Sequence, residues 1–152
     1  MKIVEILDKA VDYSVTDRTK TFFQAEFVSN GRIIKFDADL EYDYTDADDE
    51  AAEQRGVWAI AFVQKDPRGG PGRWDVTKGG KEFEVFATIR KIIEEFINEY
   101  DPKKIKFTSD KDESNRGQLY YKLFSKLLPP GYSLKKDDSS SRVWDKFEVV
   151  KN

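Results

Sequence analysis

Apolar residues fall at every second position in two neighbouring runs, Phe23, Ala25, Phe27 and then Ile34, Phe36, Ala38, Leu40, Tyr42, with Asn30-Gly31 between them. A period of two places each set on one face of a strand. Asn-Gly accepts the positive φ of a tight turn, so the two runs predict an antiparallel β-hairpin. VWAIAFVQ, from Val57 to Gln64, is almost continuously apolar and predicts a central strand covered on both faces. In KEFEVFATIRKIIEEFINEY the period becomes helical. Val85, Ile89, Ile92 and Phe96 form one row, Phe86, Ile93, Ile97 and Tyr100 another, while Arg90/Glu94 and Lys91/Glu95 are i,i+4 pairs expected on the wet side. Asp101-Pro102 ends that helix. Ile105 and Phe107 mark a short strand.

Asn115 to Leu128 predicts a second helix, capped by Asn115 and Gln118, with Leu119, Leu123, Phe124, Leu127 and Leu128 buried and Pro129-Pro130-Gly131 as its stop. Strands around Tyr132 to Leu134 and Trp144 to Val150 close the chain. Residues 3–11 have helical spacing, though a strand also fits so short a run. Strand, helix, strand, helix in the middle of the chain requires at least one parallel crossover in an otherwise antiparallel sheet. The predicted class is α/β (α+β), a single domain of residues 1–152 with a mixed, mostly antiparallel sheet flanked by helices.

The 152 residues contain neither cysteine nor histidine. That excludes Ser-His-Asp and Cys-His nucleophilic systems, Cys/His metal centres, disulfides and imidazole switching. The remaining chemical repertoire is carboxylates, hydroxyls, phenols, amines, guanidinium groups and the backbone. Residues 1–63 carry 7 basic and 14 acidic side chains (net −7), and residues 64–152 carry 19 and 15 (net +4). Nine acids and no Lys or Arg lie between Asp37 and Glu53. No apolar run reaches the length of about 20 residues needed to cross a bilayer, and acids interrupt MKIVEILDKAVDY as they do not interrupt a secretory signal. A cytoplasmic protein without a membrane partner is expected, and the modest basic excess does not favour nucleic acid.

Two segments carry candidate chemistry. Lys78-Gly79-Gly80-Lys81 opens the long helix, where backbone N–H groups and the helix dipole favour phosphate, with Lys65, Arg68 and Arg73 nearby in sequence. No Walker or dinucleotide fingerprint accompanies it. Asp37, Asp39, Glu41 and Asp43 share one face of the second hairpin strand, which suits a general base or a hard cation. Because Phe36, Ala38, Leu40 and Tyr42 take the other face, the acids also read simply as the solvent side of a half-buried strand. No EF-hand spacing is present, and no metal is expected.

IKFTSDKDESNRGQLYYKLFSKLLPPGY resembles the strand, Leu-Tyr helix and Gly-aromatic step of GNAT N-acetyltransferases, with Leu119-Tyr120 and Gly131-Tyr132 at the matching positions. The element order over most of residues 20–150 is similar as well. The resemblance implies acetyl-CoA as cofactor, Tyr120 as the acid for the leaving thiolate, and Glu41 as a carboxylate base. It also implies the backbone at Trp58 and Ala59 as the carbonyl donor, and Lys78, Gly79, Gly80 and Lys81 around the pyrophosphate. RWDVTKGGKEF lacks the spaced Arg or Gln of the family's pyrophosphate turn, and read from its neighbours alone Tyr120, beside Tyr121, is an amphipathic residue at the core edge. A second similarity, to short tailed-phage proteins, runs through Val85, Phe86, Thr88, Ile92, Ile93, Glu95 and Phe96 and then Arg116, Leu119 and Tyr120. Two functions stay open: a phage-encoded acyl-CoA N-acyltransferase, degenerate at the pyrophosphate turn, or a non-catalytic accessory protein. The accessory protein would bind a host or virion partner through its acidic hairpin or aromatic surface, in the host cytoplasm or on the virion.

Overall fold

The computed structural model describes residues 10–29, 31–65, 82–110, 128, 130–136 and 144–152. Most of the predicted 3–11 element, the glycine-rich segment, and the predicted second helix up to residue 127 lie outside these. The described strands are β1 (Ser14–Arg18), β2 (Phe22–Ser29), β3 (Arg32–Leu40), β4 (Val57–Lys65), β5 (Lys104–Asp110), β6 (Tyr132–Lys136) and β7 (Trp144–Lys151). The helices are α1 (Asp49–Arg55) and α2 (Glu82–Tyr100). Strand order is β1-β2-β3-β4-β5-β7-β6. β4 and β5 are parallel, whereas β1/β2, β5/β7 and β6/β7 are antiparallel. This is the expected mixed, mostly antiparallel sheet with its crossover at α2.

The chain divides into two compact units, Met1–Ala38 with Ala61–Tyr100, and Asp39–Ile60 with Asp101–Asn152. In the first, the hairpin buries the alternating set Phe23, Ala25, Phe27, Ile34, Phe36 and Ala38. Phe23 is its hub, with ring centroids 6.2 Å from Phe36, 5.8 Å from Phe96 and 6.0 Å from Tyr100. Such aromatic pairs each add about 0.5–1.5 kcal/mol beyond the area they bury. The glycine of the turn, Gly31, has φ 73°, as the Asn-Gly reading requires.

Three expectations change in this unit. β1 had no apolar signal, because SVTDR forms an almost wholly exposed strand at the sheet edge. Arg90 does pair with Glu94, at 2.8 Å, but its side chain is only 10% exposed. The reason is that residues 85–90 are buried on every side of α2, so this stretch has no wet face. Glu95 is engaged by Arg18 at 3.1 Å and by the Tyr13 hydroxyl at 3.2 Å.

In the second unit, α1 begins at the Asp48 cap, whose carboxylate accepts the Ala51 N–H at 2.9 Å. It ends at Gly56, with φ 64°, whose N–H bonds to Ala52 O. Gly56 also starts the β4/β5 ladder, since its carbonyl accepts the Lys103 and Lys104 N–H groups at 2.9 and 3.2 Å. Trp58, Ile60, Ile105 and Val149 are buried together on one sheet face by strand alternation. On the other face Val57 is buried but Ala59 is exposed, so cover on that side does not run the length of β4 as its apolar run suggested.

Candidate functional site

The β4/β5 ladder has three rungs, Val57↔Lys104, Trp58↔Ile105 and Ala59↔Lys106. Both strands continue past it, β4 to Lys65 and β5 to Asp110, and β5 stays paired with β7 along its whole length. Backbone direction follows from the flanking bonds. Val57 O accepts the Glu41 N–H at 2.8 Å on the β3 side, while Gly56 O faces β5. Alternation then turns the Trp58 and Ile60 backbone groups toward β5 and those of Ala59 toward β3. In a parallel ladder the Ala59↔Lys106 rung is closed by the Lys106 N–H on Trp58 O and the Ile60 N–H on Lys106 O, so the Ile60 carbonyl is the first β4 group facing β5 beyond it. Lys103 O bonds to the Lys151 N–H of β7 at 3.0 Å, so by the same alternation Lys106 and Thr108 face β4, and the Thr108 N–H is the first donor beyond the last rung.

Beside this point the exposed Ala59 separates two charged side chains. Glu41 follows directly on β3, and its Oε2 lies 3.3 Å from Lys106 Nζ. That carboxylate oxygen is enclosed and makes no hydrogen bond, so the contact is an ion pair without hydrogen-bond alignment. The backbone of Glu41 is held at both ends, by its N–H on Val57 O and by Arg55 Nη2 donating to its carbonyl at 2.5 Å. Arg55 also binds Asp46 at 3.1 Å, and this hydrogen bond holds the Asp46 carboxyl below its ordinary value. Lys104 and Glu148, on the same face, form a looser pair at 3.7 Å.

Of the residues singled out from the sequence, Glu41 and Ala59 come together on this face. Trp58 is a rung of the ladder with its indole 3% exposed on the opposite face, so the first backbone donor beyond the ladder is not on β4 at Trp58 but on β5 at Thr108. Tyr120, Lys78, Gly79, Gly80 and Lys81 lie outside the described residues. The acidic row is shorter than expected, because β3 ends at Leu40 and Asp43 sits in the following turn. Tyr42, assigned to the buried face, is 51% exposed for the same reason. Among the described residues no group of three or more acids is placed to hold a metal ion. No described helix is long and apolar enough to cross a membrane.

No protein-family model matches the sequence, and no curated protein matches it. Solved structures resemble it distantly. A mutant of spermidine N-acetyltransferase SpeG from Vibrio cholerae aligns with 86% of this chain at 6% identity and a TM-score of 0.49. AAC(6')-Ib in complex with ribostamycin and coenzyme A aligns with 88% at 14% identity and a TM-score of 0.48. The chain spans 66% and 65% of those two proteins, slightly under two thirds of each. So distant a likeness says nothing about activity or acceptor.

Lys106 and Thr108 were not singled out from the sequence. Lysines alternating with Ile105 and Phe107 look like an ordinary solvent face, and the partner of Lys106 is on a distant strand. Thr108 contributes a backbone group, which leaves no trace in side-chain identity. The available signal was the small residue, alanine, at position 59 of an otherwise bulky strand.

Proposed function

We propose that this chain is a GNAT-like N-acyltransferase that uses a coenzyme A thioester. The observation carrying the proposal is the early end of the β4/β5 ladder, which leaves the Thr108 N–H facing β4 with no further rung, beside a floor made by Ala59. A thioester fits such an edge: it needs one fixed N–H donor for its carbonyl oxygen and little side-chain bulk beside it. When bound, the thioester supplies an activated acyl group. The Thr108 N–H donates to the acyl oxygen and stabilises the charge that grows there. The Glu41 carboxylate, fixed by its backbone contacts, takes the proton from the attacking amine. Lys78, Gly79, Gly80 and Lys81 hold the pyrophosphate in this reading.

A thermal-shift titration with acetyl-CoA and CoA tests it. At a hundredfold excess over the dissociation constant, bound ligand adds about 2.7 kcal/mol of stability. A rise in melting temperature with both ligands is expected; no shift at millimolar ligand would overturn the reading.

One observation favours a second reading, that of a non-catalytic binding protein. Tyr44 is 99% exposed, in a turn held by Asp43 and Asp46 within the acidic stretch. The similarity to phage proteins gives that reading its setting, a phage-encoded chain with a host or virion partner. It expects a folded protein indifferent to coenzyme A.

A further inference from the structure

The reading above leaves Lys106 without a role, yet its ammonium is paired with the carboxylate assigned as base. Register fixes its place: Lys106 is the last β5 rung, opposite Ala59, and the next β4 residue is Ile60. Paired strands lie about 4.8 Å apart, so a lysine side chain on the Ala59 face reaches the space just beyond the last rung, beside the Thr108 N–H. No side chain larger than a methyl group stands between it and Glu41 on β4. At 3.3 Å from Glu41 Oε2, and 40% exposed, Lys106 is neither locked away nor free of its partner. A half-exposed pair of this kind contributes little to folding, so stability does not account for it.

We infer that Lys106 is the proton donor to the departing thiol and that Glu41 recharges it, an assignment that rests on the acyltransferase reading. The step balances. As the N–C bond forms, Glu41 takes the proton of the amine and becomes neutral. As the C–S bond breaks, Lys106 Nζ gives a proton to sulfur and becomes a neutral amine. The proton on Glu41 then crosses to Lys106, restoring carboxylate and ammonium with no other co-reactant. Removal of the carboxylate charge at the moment of attack also frees the ammonium from its partner just when negative charge reaches the sulfur.

The test compares the wild-type protein with Lys106→Met and Lys106→Arg, after thermal melts confirm that each variant folds. Binding is read by calorimetry with CoA and with desulfo-CoA, at a pH where the free thiol is half ionised. Turnover is read as acetyl transfer to a panel of primary amines, from acetyl-CoA and from its selenium analogue, whose more acidic selenol leaves without a proton. The wild-type protein and Lys106→Arg, which keeps the positive charge, should prefer CoA over desulfo-CoA, and Lys106→Met should lose that preference. Both variants should lose about a hundredfold or more in turnover with acetyl-CoA and remain near wild type with the selenium donor.

Rescue by Arg, or an equal loss with both donors, would assign Lys106 a merely structural role and overturn the inference. Unchanged turnover in both variants would overturn it while leaving the acyltransferase reading intact. A wild-type protein that binds no CoA would overturn both. If no amine in the panel is acetylated, the CoA to desulfo-CoA ratio decides: lost in Lys106→Met it supports the inference, unchanged it overturns it.

Discussion

Glu41 owes its position to its backbone more than to its carboxylate. Its N–H is fixed on Val57 and its carbonyl on Arg55, while its carboxylate pairs with the half-exposed ammonium of Lys106. Such an ion pair is worth at most about 1 kcal/mol. Glu41→Gln is therefore expected to change urea-denaturation stability by no more than about 1 kcal/mol, while reducing acetyl transfer by about 10²–10⁴-fold. A comparable loss of stability and activity would mean that the carboxylate holds the fold instead. The row of alternating acids made Glu41 visible in the sequence as a candidate. Its isolation from that row was not visible, because it depends on β3 stopping at Leu40 and on Arg55 drawing Asp46 into the next turn.

Gly56 shows how one residue joins two elements. It closes α1 in the left-handed region and opens the β4/β5 ladder through its carbonyl. A Cβ there would stand 3.2 Å from Lys103 Cγ and 3.3 Å from the Lys103 backbone nitrogen, whereas at Gly31, with φ 73°, it would meet nothing within 4 Å. Gly31→Ala should cost only the left-handed strain, about 1–2 kcal/mol. Gly56→Ala should cost more, since the Lys103 backbone must also move, and urea denaturation of the two variants reads the difference. The hairpin and α2 were legible because each buries a face with its own period, and β4 because its apolar run is almost continuous. β1 was not, because its polar SVTDR sequence is held by pairing with β2. The end of the β4/β5 ladder was not legible either, because register is a property of two strands and the side chains of VWAIAF run on past it.

For the molecule as a whole, the acidic and basic halves of the sequence do not sort into separate patches at the proposed site, where Glu41 meets Lys106 and Glu148 meets Lys104. The largest pH effect is expected on the alkaline side. Burial, reinforced by Glu95, pushes the Tyr13 phenol up to about 12. An unfolded tyrosine ionises near 10. The contribution of the protonated phenol is thus fully present below about pH 10 and is lost as pH rises to about 12. Burial raises Tyr100 and Tyr132 in the same direction. Urea denaturation at about pH 9 and about pH 11 should show stability falling with pH, and Tyr13→Phe should flatten part of that fall. An unchanged slope in the variant would count against the Tyr13–Glu95 contact.

The central claim is that the Thr108 N–H lies beyond the last rung of the ladder and receives an acyl oxygen. Amide hydrogen exchange, resolved by NMR at Lys106 and Thr108 with and without saturating acetyl-CoA, tests this most directly. In the free protein Thr108 should exchange much faster than Lys106, and acetyl-CoA should slow Thr108 while leaving Lys106 unchanged. A Thr108 amide as protected as Lys106 before any ligand is added, or one indifferent to acetyl-CoA, would contradict it.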